Sequence, residues 1–130
     1  MSGEQDLGRL LASMRPELRD GPFVFTTVDS VPEGADPVVS VREPEGVTLV
    51  LRRDEADRLR LPYEYVAAMV TLNVHSALDA VGLTAAVASE LTGHGISCNV
   101  VAGYFHDHLF VPFERGGDVV TLLEALAARS

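Results

Sequence analysis

The run His106-Asp107-His108 sets two imidazoles and a carboxylate within three residues. On a strand, positions 106 and 108 project to one side, so the pair could hold a metal ion with His75 or His94 completing the set. Two same-side histidines without a fixed third ligand are a weak metal signal. A hairpin tip whose His and Asp side chains bond the backbone accounts for the run equally simply. A third reading places His106, Asp107 and His108 beside a small-molecule pocket or an interface. Neither a metal nor any other cofactor is expected.

Cys98 is the single cysteine, so no intrachain disulfide forms, and its apolar run Ile96-Ser97-Cys98-Asn99-Val100-Val101 suits a buried, inert thiol. Spacing assigns it no base, which a nucleophile would require. Asn99, if it faces inward on a strand, would need hydrogen bonds, from a ligand or from the fold. Catalytic signatures are missing. There is no lysine for a phosphate loop, no Gly-x-Ser-x-Gly elbow and no His-Glu-x-x-His. Carboxylate pairs such as Asp54-Glu55 lie in charged stretches where raised pKa values are not expected. No enzymatic activity is expected.

The 130 residues make one ordinary domain or two small halves, and 47% hydrophobic residues supply ample core material. Ten basic against nineteen acidic residues leave a net charge of −9, which repels phosphate backbones and anionic headgroups. Nucleic acid and membrane are therefore excluded as expected partners. Met1-Ser2-Gly3-Glu4-Gln5-Asp6 has neither the basic nor the apolar region of an export signal. No apolar stretch approaches the roughly 18 residues of a membrane span. A cytoplasmic protein is expected.

Chain patterning supplies the scaffold. Asp6 caps a short helix with Leu7, Leu10, Leu11 and Met14 on one side, limited by Pro16. Phe23 to Val28 reads as a strand, and Val38 to Arg42 with Val47 to Arg52 as a hairpin around Glu43-Pro44-Glu45-Gly46. Asp54 to Arg60 is a short charged helix. A long strand starts at Tyr65, with Val66, Ala68, Val70, Leu72 and Val74 on one face. After the turn Ser76-Ala77-Leu78-Asp79-Ala80-Val81, a helix runs from about Gly82 to Thr92. Strands at Ile96 to Ala102 and His108 to Phe113 follow, then a helix opened by Gly116-Gly117-Asp118. From Tyr65 the order is strand, helix, strand, strand, helix, five sixths of a βαββαβ unit.

The block Ala77-Leu78-Asp79-Ala80-Val81-Gly82-Leu83, followed by a helix and Gly95-Ile96-Ser97-Cys98-Asn99-Val100-Val101, resembles the ACT domain. With Ala102-Gly103-Tyr104-Phe105-His106-Asp107-His108 added, it is similar to small free-standing bacterial proteins with two ACT-like halves, and distantly to the cytosolic arginine sensors of animals. The resemblance implies an α+β fold of ferredoxin-like βαββαβ units, two interlocked halves with antiparallel sheets and helices on one face. The halves would be residues 1–62 and 63–130. It also implies a non-catalytic regulator, pairing as a homodimer, that binds a small molecule such as an amino acid between ACT units. Ligand-binding positions carried over are Asp79, Val81, Gly82 and Leu83 at the turn and Cys98, Asn99 and Val100 on the second strand. Ser76, His106, Asp107 and His108 would lie at an interface or pocket. A ligand-free pairing module is the alternative.

The physics of the turn agrees with the resemblance. A glycine admits close approach to the backbone, and a helix beginning at Gly82 offers unpaired N–H groups to a carboxylate. Asp79 reads either as that helix's cap or as a partner for an ammonium group. Two features depart from the family pattern: Val81 stands where many ACT domains carry proline, and no strand follows the last helix. The closing strand must come from the N-terminal half or from another subunit.

Overall fold

A computed structural model describes residues 3–130. Met1 and Ser2, where the stretch without an export signal begins, lie outside the described residues. Two compact units divide the chain: residues up to Asp20 together with Ala68–Ser130, and Gly21–Ala67.

The larger unit opens with helix α1, Leu7–Ser13, whose N-terminus is fixed as the sequence suggests. Asp6 stands outside the helix with extended backbone, and its carboxylate accepts from the Arg9 amide at 2.9 Å. Asp6→Ala should therefore lower stability by about 1 kcal/mol, read as an earlier urea midpoint at unchanged slope. Strand β1, Pro16–Leu18, follows at once and was not visible in the sequence pattern. It pairs antiparallel with strand β5, Val66–Leu72, from Pro16↔Leu72 to Leu18↔Val70. Helix α3, Leu83–Thr92, leads to strands β6, Asn99–Ala102, and β7, Asp107–Pro112. A 3₁₀ turn at Phe113–Arg115 then opens helix α4, Gly116–Ala128.

β6 and β7 are antiparallel, from Asn99↔Phe110 to Ala102↔Asp107, and β7 lies beside β5. The order β1-β5-β7-β6 is that of a βαββαβ unit in which the closing strand is supplied by β1, ahead of the unit's first strand in the chain. The strand missing after α4 thus comes from the N-terminal segment. Helices cover one face of this sheet. Leu10, Val70, Leu72, Val87, Leu109 and Leu123 belong to the cluster between them, each at most 1% exposed.

Two strand ends in this unit differ from the sequence reading by two residues or more. β5 stops at Leu72, because the Asn73 amide turns to the Arg15 carbonyl and the Val74 amide to that of Leu72. β6 begins at Asn99 instead of Ile96, since the Ile96 amide is held by the Leu91 carbonyl at the end of α3. Within this unit β5 is buried on both faces, with Met69 and Thr71 as covered as Ala68 and Val70. A central strand is covered on both sides, so its second face is as buried as the first.

The smaller unit contains β2, Phe23–Val28, β3, Val39–Glu43, β4, Gly46–Arg52, and helix α2, Arg53–Arg58. β3 and β4 form the expected hairpin, β2 pairs with β4 along its length, and Phe23 and Val24 pair with Ala67 and Val66 at the start of β5. The order β3-β4-β2-β5 repeats that of the larger unit. The loop between β2 and β3 replaces the first helix. Val24, Leu49, Leu51 and Ala56 form the core of this unit. Among the described residues no helix is long and apolar enough to cross a membrane.

Candidate functional site

Thr71, near the end of β5, is buried, and its hydroxyl is hydrogen-bonded to His108 Nδ1 at 3.0 Å. Arg19 Nη1 donates to the same oxygen at 3.5 Å. One step along, His106 Nδ1 lies 3.4 Å from the Val74 carbonyl, and the His75 ring is tilted against Phe105 with centroids 5.5 Å apart. These contacts bring the 103–106 hairpin and the turn after β5 to one end of the unit. Among the described residues, His75 Nε2 is buried there without a hydrogen-bond partner. Tyr104 and Phe105 at the hairpin tip are exposed.

The turn carries the residues singled out from sequence. Ser76 is partly buried and donates to the Ala77 carbonyl at 3.2 Å. Asp79 does not cap α3; its Oδ1 accepts from Gln5 Nε2 at 2.9 Å. Gly82 is the residue before α3, with φ +105°, and no side chain caps that helix. Leu83 is buried, whereas Leu78 and Val81 are 61% and 82% exposed. The space a Cβ on Gly82 would take is met by Leu7, whose Cδ2 lies 3.0 Å away. Bare backbone at this glycine therefore accommodates the protein's own leucine.

The second-strand positions lie elsewhere. Ala102 pairs with Asp107 at the hairpin, but Asn99 pairs with Phe110, three residues back along β6. At roughly 3.3 Å per residue this is about 10 Å from the hairpin end. Ser76, Asp79, Gly82, His106, Asp107 and His108 thus share one end of the unit, which Cys98, Asn99 and Val100 do not reach. Cys98 is half-buried against the core, and burial pushes its thiol up to about 11, so it stays protonated at neutral pH. Among the described residues no group of three His, Cys, Asp or Glu is placed to hold a metal ion.

Burial lowers the pKa of His108, and the neighbouring His106 and Arg19 lower it further, while Asp107 opposes them. Burial raises that of Asp107, against the pull of His108 and His106. The folded state thus favours neutral His108. As pH falls below the ordinary histidine value near 6.5, the unfolded chain takes up this proton first and stability is lost. The loss continues down to the lowered folded value and then stops. Asp107 acts with opposite sign at lower pH, where the folded state protonates first. His108→Gln should flatten the fall in urea midpoint below pH 6.5; an unchanged slope would assign it to other groups.

Sequence reasoning missed Thr71, Arg19, Gln5 and Leu7. Thr71 and Arg19 face His108 only through the pairing of strands remote in sequence. Gln5 and Leu7 carry no motif.

The fold order and the glycine-opened turn agree with two family matches. Residues 2–68 match an ACT domain, and residues 64–125 match another. The chain belongs to the ACT domain family. Its members are typically small-ligand-binding regulatory domains without catalytic activity of their own. The matches and the compact units divide the chain differently, because α1 and β1 fall in the first match yet belong to the unit that contains most of the second.

Among solved structures, a Vibrio cholerae protein of unknown function, described as a possible transport protein, is 45% identical. It aligns over 97% of this chain and 99% of its own, with a TM-score of 0.84. An Agrobacterium tumefaciens protein shares 20% identity over 88% of this chain and 89% of its own, at TM-score 0.68. The regulatory subunit of aspartate kinase from Thermus flavus has the same fold, with TM-score 0.64 at 9% identity over 85% of this ACT protein and 95% of that chain. None of the curated proteins matches the sequence.

Proposed function

We propose that this ACT protein is a non-catalytic cytoplasmic regulator that binds an amino acid at the turn joining β5 to α3. The observation that carries the reading is the end of the unit at which that turn meets the 103–106 hairpin. It gathers the uncapped start of α3 at Gly82, the exposed Val81 and Leu78, and His106, Asp107 and His108. A helix start without a side-chain cap suits a carboxylate, and Asp79 or Asp107 suits an ammonium group. Exposed Leu78, Tyr104 and Phe105 suit the apolar part of a ligand or a neighbouring chain.

Cys98, Asn99 and Val100 enter the site only from a second copy. β6 is an outer strand without charge or proline, so two copies can pair antiparallel along it. Centring that pairing between Val100 and Val101 sets Asn99 of one copy opposite Ala102 of the other. The second-strand residues of each copy then stand beside the hairpin end of its partner. The same uncharged edge supports a second reading, a pairing module without ligand. Val100→Lys should convert the dimer to monomer in sedimentation; a wild-type that already sediments as a monomer refutes pairing.

Thermal melting against the twenty amino acids separates the two readings. Saturable stabilisation by one or a few, about 2.7 kcal/mol at a hundred times Kd, is expected for the regulator. Twenty flat curves leave pairing alone.

A further inference from the structure

Residues 3–7 lie across the turn assigned above to the ligand, and we infer that this segment is a strap that the ligand must displace to bind. The inference rests on the reading of that turn as the amino acid site. The Glu4 amide donates to the His75 carbonyl at 2.8 Å, and the Ala77 amide donates to the Glu4 carbonyl at 3.0 Å. They form an isolated parallel bridge between Glu4 and Ser76. Gln5 Nε2 occupies Asp79 Oδ1, the acceptor suited to an ammonium group. Leu7 Cδ2 stands 3.0 Å from the position of a Cβ on Gly82. That separation is shorter than an ordinary carbon–carbon contact of about 3.5–4.0 Å, so no ligand atom fits over Gly82 while Leu7 is seated. Gly3, at φ +118°, completes the fit, since a Cβ there would stand 2.6 Å from the Ala77 amide nitrogen.

The strap is built to lift without unfolding its neighbours. Among the described residues one backbone bridge and the Gln5–Asp79 hydrogen bond hold it, and Gln5, Asp6 and Leu7 are exposed, features of low local stability. Its own carboxylates organise it. Glu4 Oε2 accepts from the Gln5 and Asp6 amides, and Asp6 caps α1. The anchor lies beyond it, at the fully buried Leu10. Ligand and strap therefore exclude one another, apparent affinity is reduced by the fraction of time the strap is seated, and the released segment reports occupancy.

The test uses the full chain, Leu7→Ala and Gly3→Ala, with the amino acid from the panel that raises the melting temperature most. In the full chain, saturating amino acid should speed hydrogen exchange at the Ala77 amide about tenfold, with Val70 and Leu109 unchanged. Leu7→Ala should bind the same amino acid about threefold or more tightly, because less of it is held closed. Gly3→Ala, which leaves Leu7 and α1 intact, should do the same and carries the comparison if Leu7→Ala is poorly folded. Slower exchange at Ala77 on binding would mean that the strap closes over the ligand, and overturns the inference. Unchanged exchange with equal affinities overturns it too, while leaving amino acid binding in place. Failure of every amino acid to stabilise any of the three chains removes both.

Discussion

A chain that begins at Gly21 is expected to lose the cooperative melt of the unit built on Ala68–Ser130, although the second family match, residues 64–125, suggests that this half is self-contained. The deletion removes β1 and its flanks, ending the pairing of Leu18, Glu17 and Pro16 with Val70, Thr71 and Leu72 and leaving the Met69 carbonyl without the Arg19 amide and the Asn73 amide without the Arg15 carbonyl. It also removes Leu10 and Met14, both essentially inaccessible in the core against α3 and α4. Burying side chains of this size contributes about 1.5–3 kcal/mol each, before the cavity they leave is counted. The lost strand and helix add to this, against a total stability of about 5–15 kcal/mol for a domain. Circular dichroism at 222 nm should show a broad, weakly cooperative transition in place of a sharp one. Leu10→Ala in the full chain should reproduce part of the loss, about 2–5 kcal/mol. A sharp melt of the shortened chain near the full-length temperature would show that β1 and α1 are ornaments of the unit.

Gly116→Val carries the other large effect. Gly116 is the first residue of α4, and a Cβ there would stand 2.9 Å from Ala68 Cβ and 2.9 Å from Leu18 Cδ1. Leu18 is 47% exposed and its side chain can swing aside, but the Ala68 Cβ is fixed to the backbone of the central strand β5 and cannot. A branched side chain must push α4 off the sheet, at about 3 kcal/mol. The adjacent Gly117 meets nothing within 4 Å, so Gly117→Ala should instead stabilise by about 0.5–1 kcal/mol through helix propensity and chain entropy. Urea denaturation of the two variants should therefore move in opposite directions from wild type. Equal destabilisation would mean that the close approach of α4 to β5 is not what this glycine serves.

What was legible in the sequence follows the range of the forces involved. Local patterning was enough for α1 with its Asp6 cap, the β3–β4 hairpin, α3 and α4, because each depends on contacts within a few residues. Resemblance added the ACT-type units and the turn before Leu83. β1 escaped because three residues, Pro16-Glu17-Leu18, form a strand only when β5 offers them an edge more than fifty residues away. The ends of β5 and β6 escaped for a similar reason: Asn73 and Ile96 give their amides to carbonyls of other elements.

By itself the sequence determined the fold class, the lack of catalytic signatures and the likeness to a ligand-binding family, since residue type and short-range spacing carry all three. Only the tertiary structure decided which candidates stand together. Strand pairing unites His106 and His108 with Val74 and Thr71 and leaves Asn99 at the far end of β6. It also decided what covers Gly82. A bare glycine looks the same in sequence whether a ligand or Leu7 lies against it, because that difference arises from contacts across some seventy-five residues of chain.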